Sequence, residues 1–266
     1  MEIEGKVGLV TGRADGVSKA FAEALLQKGA KGVVLVDDNE AAAQATKENF
    51  EKAYGSGKVL YCKCDVTNGE QVKAAYAEAK AKFGQIDIVC NNATVWDEAD
   101  WANMMLVNIN GTVHSTKEAL EHLSRGGVIV NVSSVAALSL LPFGALFAAS
   151  KCAVLGYTKN LATFDPHVKE NNIRINTLCP CAVRSNLQGL ARPDEQHRER
   201  FMQMMKNLKL IEPSQVAESF VRLITEPHQG QTLYIHPIEG EQFMKDEAED
   251  FRKRIMRSRE GEILNV

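Results

Sequence analysis

Short runs of uninterrupted apolar residues alternate with longer stretches of helical periodicity along nearly the whole of this chain. The runs "KVGLVTG" (6–12), "VVLVDD" (33–38), "KVLYCKCDV" (58–66), "IDIVCNNA" (86–93), "GVIVNVSS" (127–134), "IRINTLCP" (173–180) and "TLYIH" (232–236) each read as a strand. Between them, "SKAFAEALLQKGA" sets Ala20, Phe21, Ala24 and Leu25 on one helical face and ends at Gly29. Further helices are predicted over 39–53, 70–84, 101–123, 144–164 and 214–225. A strand that is apolar on both faces must be covered on both. The pattern therefore predicts a single doubly wound α/β domain of Rossmann type over residues 1–240. Its seven-stranded parallel sheet would carry helices on both faces, with right-handed crossovers. No internal repeat or linker interrupts it.

Composition narrows the function classes. With 266 residues and 45% hydrophobic content, the chain can bury one large core. A net charge of −3, with no basic block before the C-terminal segment, argues against a nucleic-acid partner. No apolar run reaches about 18 residues, so no membrane span is expected. The start, "MEIEGKVGLVTG", is acidic and enters a strand at once, unlike a secretory signal. The six cysteines include two Cys-x-Cys pairs, Cys62/Cys64 and Cys179/Cys181, at strands or strand ends. They read as small buried side chains of a cytoplasmic protein rather than a disulfide framework or metal site.

The first chemical motif is "TGRADGVS", between the first strand and the first helix. In that context Gly12 permits a tight turn, and Gly16 lets backbone approach a pyrophosphate at the helix N-terminus. A third glycine would stand at position 18, which is Ser18. Asp37 ends the second strand roughly 20 residues on, where an acid bonds the adenosine ribose. Together with Asp15 and Asp38 it would repel a 2′-phosphate, favouring NAD over NADP. Asp65 ends the third strand and either meets the adenine edge or joins Thr67 in capping the next helix. The residues alone leave both open.

In order along the chain stand "TGRADGVS", Asp37, "CDV" (64–66), "NNAT" (91–94), Asn108, "NVSS" (131–134), "FAASK" (147–151) and "CPCAVRS" (179–185). On these motifs the chain resembles the short-chain dehydrogenase/reductase family over about residues 6–235. Within it, "KAFAEALLQKGAK" and "FGQIDIVCNNA" resemble the NAD-dependent 15-hydroxyprostaglandin dehydrogenase branch most. The resemblance implies hydride transfer between nicotinamide and a secondary alcohol or ketone. It implies a serine at Ser134 to orient substrate oxygen, an asparagine at Asn108 to fix a water, and a lysine at Lys151 to hold the nicotinamide ribose. It also places Val17, Val66, Asn91, Pro180, Val183 and Ser185 along the cofactor. No metal is implied, and a dimer or tetramer paired through helices 101–123 and 144–164 is.

The resemblance breaks at the proton donor. Four residues before Lys151, on the same helical face, the family's tyrosine is Phe147. A positioned general acid contributes about 10²–10⁴-fold. Tyr157 lies ten residues on, roughly 15 Å along the helix, and His114 stands on a different turn from Asn108. Other departures accompany it: Ser18 and Thr94 for glycines, Cys181 for the glycine after Pro180, and Gly144 for a substrate-side glutamine. The added side chains are expected to enter cofactor space.

Beyond the sixth strand, "FMQMMKNLKL" carries Phe201, Met202, Met204, Met205 and Leu208. This suits a small apolar or lipid-like ligand as well as an amphipathic core helix. Residues 241–266 read as a charged amphipathic helical extension, with Met244, Ala248, Phe251 and Ile255 on one face and bases following acids. Three functions fit the sequence: a dehydrogenase with impaired redox activity, a working oxidoreductase using Ser134, Lys151 and water, and a non-redox binding or structural protein.

Overall fold

The computed structural model describes residues 1–139, 141–184, 198–207 and 209–244. Strands β1 (Val7–Thr11), β2 (Gly32–Asp37), β3 (Val59–Lys63), β4 (Ile88–Asn91), β5 (Val128–Val132), β6 (Arg174–Pro180) and β7 (Thr232–His236) are parallel neighbours in one sheet. The order is β3-β2-β1-β4-β5-β6-β7, followed by β8 (Gly240–Phe243). Alternation along each strand divides the core in two. Val10, Leu35, Cys90 and Val130 face one side, packed with Phe21, Leu25 and Phe220. Leu9, Val34, Val89 and Ile129 face the other, packed with Tyr76, Phe83 and Ala119.

The expected seven strands are present, and β8 is an eighth, antiparallel to β7. The sheet thus continues across the boundary expected at residue 240. Gly240 has a φ of 74°, which lets the chain reverse after His236. Phe243 then packs its ring against His228, centroids 4.2 Å apart. An edge strand of only four mostly polar residues leaves no hydrophobic period to read, so the sequence conceals it. Of the helical extension expected over 241–266, residues 245–266 lie outside the described residues.

Helices α1 (Val17–Gln27), α2 (Glu40–Tyr54) and α9 (Pro213–Thr225) contribute to the first side of the core. Helices α3 (Gly69–Phe83), α5 (Thr112–His122), α6 (Ala145–Phe164) and α7 (Pro166–Glu170) contribute to the second. Asn39 and Asn68 cap α2 and α3 by accepting backbone N–H bonds. The helix expected over 101–123 is three consecutive pieces: α4 (Trp101–Met105), a π-helical segment (Leu106–Gly111) and α5. At Gly111 a Cβ would lie 2.7 Å from Val66 Cγ2, so glycine lets the segment lie against the turn that follows β3. Helix α8 (Arg198–Asn207) follows the sixth strand.

The strand order reverses at β1, whose neighbours are β2 and β4. Connections leaving the carboxyl ends of β1 and β4 in opposite directions open a crevice there. No helix among the described residues is long and apolar enough to cross a membrane.

Candidate functional site

Two adjoining hollows occupy this crevice, and Arg13, Thr94 and Trp96 line both. The hollow on the β2–β3 side, about 300 Å³, is lined by Gly12, Asp37, Asp38, Asp65 and Val66. Gly12 has a φ of 98°, and a Cβ on it would lie 2.8 Å from Ala93 backbone. Both facts demand glycine. Asp37 accepts the Ala14 N–H at 2.8 Å through Oδ2 and the Asn39 N–H at 3.1 Å through Oδ1. Burial raises its pKa, while these two bonds oppose the shift. A side-chain hydrogen bond with Asp38, and the charge of Asp38, add to the upward shift. Asp65 is exposed, and its Oδ1 accepts both the N–H and the hydroxyl of Thr67. It closes a local turn and also lines the hollow.

Asp15, Gly16 and Val17 line the second hollow where α1 begins. Gly16 is the N-cap of α1 and supplies no side-chain cap, so the helix offers its first N–H groups to an anion. Asp15 is held by Arg13, whose guanidinium donates to it at 2.8 and 3.2 Å. That hydrogen-bonded pair raises the Arg13 pKa.

Ser18 does not crowd the crevice. Its hydroxyl donates to the Thr11 carbonyl at 3.2 Å and accepts the Asn92 amide at 2.8 Å. The side chain thus ties α1 to the ends of β1 and β4. Asn91, expected at the cofactor, lines neither hollow. Its amide donates to Asn131 and Thr116, in a buried network that continues from Asn131 to Thr158. The sheet alternates side chains, so Asn91 faces helices α5 and α6 while the next residue, Asn92, lines the crevice.

The second hollow, about 230 Å³, brings together Ser134, Phe147, Lys151, Pro180 and Val183. Ser134 follows β5, and its Oγ accepts the Ala136 N–H at 3.1 Å, capping the 3-10 turn Val135–Ala137. Lys151 projects from α6 and is 2% exposed. Its ammonium donates to the Val132 carbonyl at 3.3 Å and stands 5.7 Å from the centre of the Phe147 ring. Burial pulls its pKa down to about 8; the Cys179 thiol on β6 opposes the shift. Burial pushes that thiol up to about 12. Phe147 stacks on Trp96, with centroids 4.8 Å apart and planes 19° from parallel. Phe201 of α8 closes edge-on against the same indole. Met204 also lines the hollow, while Met202 is exposed. The Met205 and Leu208 side chains and all of Ser185 lie outside the described residues.

Asn108 sits behind the hollow rather than in it. Its amide oxygen accepts Thr94 Oγ1 and the Val95 N–H, and its amide nitrogen donates to the Val95 carbonyl and Ser150 Oγ. The side chain is buried and engaged at both ends, fixing loop 92–95 to α6. Thr94 points at Asn108 through this bond. Cys181 does line the hollow, so of the added side chains Thr94 and Cys181 border the crevice and Ser18 does not. Tyr157 is half-buried, burial raises its pKa to about 12, and it lines neither hollow. His114 bonds the Val66 carbonyl through Nδ1.

Two positions that shape the start of α6 escape the sequence. Glu98 accepts the N–H groups of Leu146 and Phe147 at 3.1 and 2.9 Å. It caps α6 from 48 residues away, and no local capping pattern announces it. Trp96 fills the space beside Gly144, where an added Cβ would lie 2.9 Å from the indole Cζ2. A glutamine at 144 is therefore replaced in space by an aromatic wall from the β4–α4 loop.

The chain is similar to several known proteins. The family model described as short chain dehydrogenase matches residues 6–196. The 15-hydroxyprostaglandin dehydrogenase [NAD(+)] of Macaca fascicularis is 30% identical over 266 residues, covering 96% of this chain and 99% of the relative. The 3beta-hydroxysteroid dehydrogenase 2 of Eggerthella lenta is 34% identical over 73% of this chain and 77% of its own length. Among solved structures, 3-ketoacyl-(acyl-carrier-protein) reductase from Brucella melitensis complexed with NADH is similar with a TM-score of 0.76. It is 26% identical, over 89% of this chain and 98% of that one. The chain belongs to the short-chain dehydrogenase family.

Proposed function

We propose that this protein binds NAD(H) along the crevice and that its dehydrogenase chemistry is impaired, because Phe147 provides no proton. The observation that carries this reading is the Phe147 ring held between Trp96 and the Lys151 ammonium. The residues present suit the cofactor. Asp37 and Asp38 line the hollow with carboxylates suited to ribose hydroxyls, Gly12 leaves backbone room, and α1 presents free N–H groups. Lys151 has three N–H donors and one bond among the described residues, at 3.3 Å. Two donors remain for a ribose. Asp37 and Asp38 disfavour a 2′-phosphate. Bound there, the cofactor would give or accept a hydride; the protein's part is to hold it and to move the hydroxyl proton. A relative named for NAD(+) and a neighbour solved with NADH support the same choice.

A second reading keeps some turnover, with Ser134 orienting the substrate oxygen and Lys151 exchanging the proton through water. The Lys151 pKa of about 8 favours it, since the ammonium can release its proton near neutrality. The largely apolar wall of Trp96, Phe147, Leu141 and Met204 suits a small apolar or lipid-like ligand. Pairing of two or four copies through α4–α5 and α6 is part of the proposal; Trp101, Leu106 and Phe164 on these helices are exposed. A cytoplasmic location follows from the cysteine usage.

The test begins with NADH titration of the wild type, followed by intrinsic fluorescence. Oxidation of a 15-hydroxyprostaglandin and of a 3β-hydroxysteroid is then compared between wild type and Phe147→Tyr. The variant should turn over at least about 100-fold faster, the lower range of a positioned acid. Equal rates with NADH bound would reject the missing acid, and absence of NADH binding would reject the nucleotide site.

A further inference from the structure

We infer that the second hollow is also a carbonyl-trapping site, in which the Lys151 amine forms an imine with an aldehyde or ketone bearing an apolar group. This inference stands beside the nucleotide reading and does not depend on it.

The geometry supplies an unusual amine. Lys151 is almost fully buried, yet it lines a hollow of about 230 Å³. Its Nζ has no carboxylate partner among the described residues. The one described hydrogen bond is the long one to the Val132 carbonyl, and the Phe147 ring covers another side. The titratable group acting on it is the Cys179 thiol, which burial keeps neutral. A lysine desolvated in an apolar pocket is an activated nucleophile because the neutral amine is favoured there. Around it, Trp96, Phe147, Leu141, Val135 and Met204 present apolar surface for the substituent.

The step balances without another reagent. The neutral amine attacks the carbonyl carbon, forming a C–N bond as the C=O π pair moves onto oxygen. A proton passes from nitrogen to that oxygen, giving a carbinolamine. The C–O bond then breaks, water leaves with the second nitrogen-borne proton, and the C=N bond closes. Limited water in an apolar hollow slows the reverse hydrolysis.

The experiment incubates the full chain with benzaldehyde, or with hexanal, and sodium cyanoborohydride, which reduces the imine to a stable secondary amine. Peptide mass mapping reads the adduct at each lysine. The expected result is modification of Lys151 at least about tenfold faster than exposed lysines near pH 7.5, from its larger neutral fraction. The rate should rise with a midpoint near pH 8. Lys151→Arg keeps the charge, cannot form the imine, and should lose the fast adduct. Modification spread evenly over surface lysines in the wild type overturns the inference, whether or not the variant folds. The adduct is measured without nucleotide, and NADH titration is run on unmodified protein; because Lys151 is also the proposed ribose donor, each readout then fails separately.

Discussion

Replacing Lys151 with methionine removes a buried cation while keeping a chain of similar length, and the structure fixes how the gain depends on pH. The folded pKa is about 8, against an ordinary value of 10.5. The unfolded chain therefore binds more protons between these values, and stability rises as pH climbs through that window. Below pH 8 the amine is charged in both states, and burying it costs about 3 kcal/mol at 1.36 kcal/mol per unit. At pH 9.5 the folded amine is neutral while the unfolded one is still mostly charged, and the same linkage leaves about 1 kcal/mol. Lys151→Met should thus gain about 2 kcal/mol more over wild type at pH 7 than at pH 9.5. Any packing difference between the side chains is nearly independent of pH and cancels in this comparison. Urea unfolding of both proteins at the two pH values, without nucleotide, measures it. An advantage that stays constant, or grows toward pH 9.5, would refute the claim that Lys151 is buried without a compensating anion among the described residues.

Other substitutions probe the crevice. Gly12→Ala forces a side chain onto a φ of 98° and against Ala93 backbone; it should lose about 2 kcal/mol in urea unfolding and abolish NADH binding. Ser18→Gly removes two buried hydrogen bonds and should cost about 1–3 kcal/mol. Because that hydroxyl points at Thr11 and Asn92, NADH affinity should remain within about threefold of wild type, well under the tenfold that 1.4 kcal/mol would bring. A gain beyond this in titration calorimetry would show that Ser18 does crowd the cofactor. Glu98→Gln keeps one acceptor but removes the charge at the α6 N-terminus, and should lower stability by about 1 kcal/mol in thermal or urea melts.

The glycine turn, the acid ending β2, Ser134, Phe147 and Lys151 were legible because each rests on local order: a strand, its exit, and a residue type at a fixed distance. Asn91 shows the limit of that logic. It ends the right strand, but strand alternation turns its side chain into the α5–α6 interior and leaves the crevice to Asn92. Glu98 and Trp96 show another limit. Both act on α6 from the β4–α4 loop, across 48 residues, through a contact no periodicity encodes. The π-helical segment around Asn108 is hidden because one widened turn leaves no distinct mark on the pattern of apolar residues.

The sequence by itself determined the doubly wound sheet, its two covered faces and the crevice at the strand ends, because apolar alternation and turn chemistry act between near neighbours. It also determined that the position one helical turn before Lys151 carries a ring without a hydroxyl. Only the tertiary structure decided what surrounds that ring. Trp96, Phe201 and the N–H bonds to Glu98 arrive from distant parts of the chain. Ser18 is turned out of cofactor space by partners on two other elements. Lys151 becomes a weakly held amine because packing removes water from it without bringing an anion from any of the described residues.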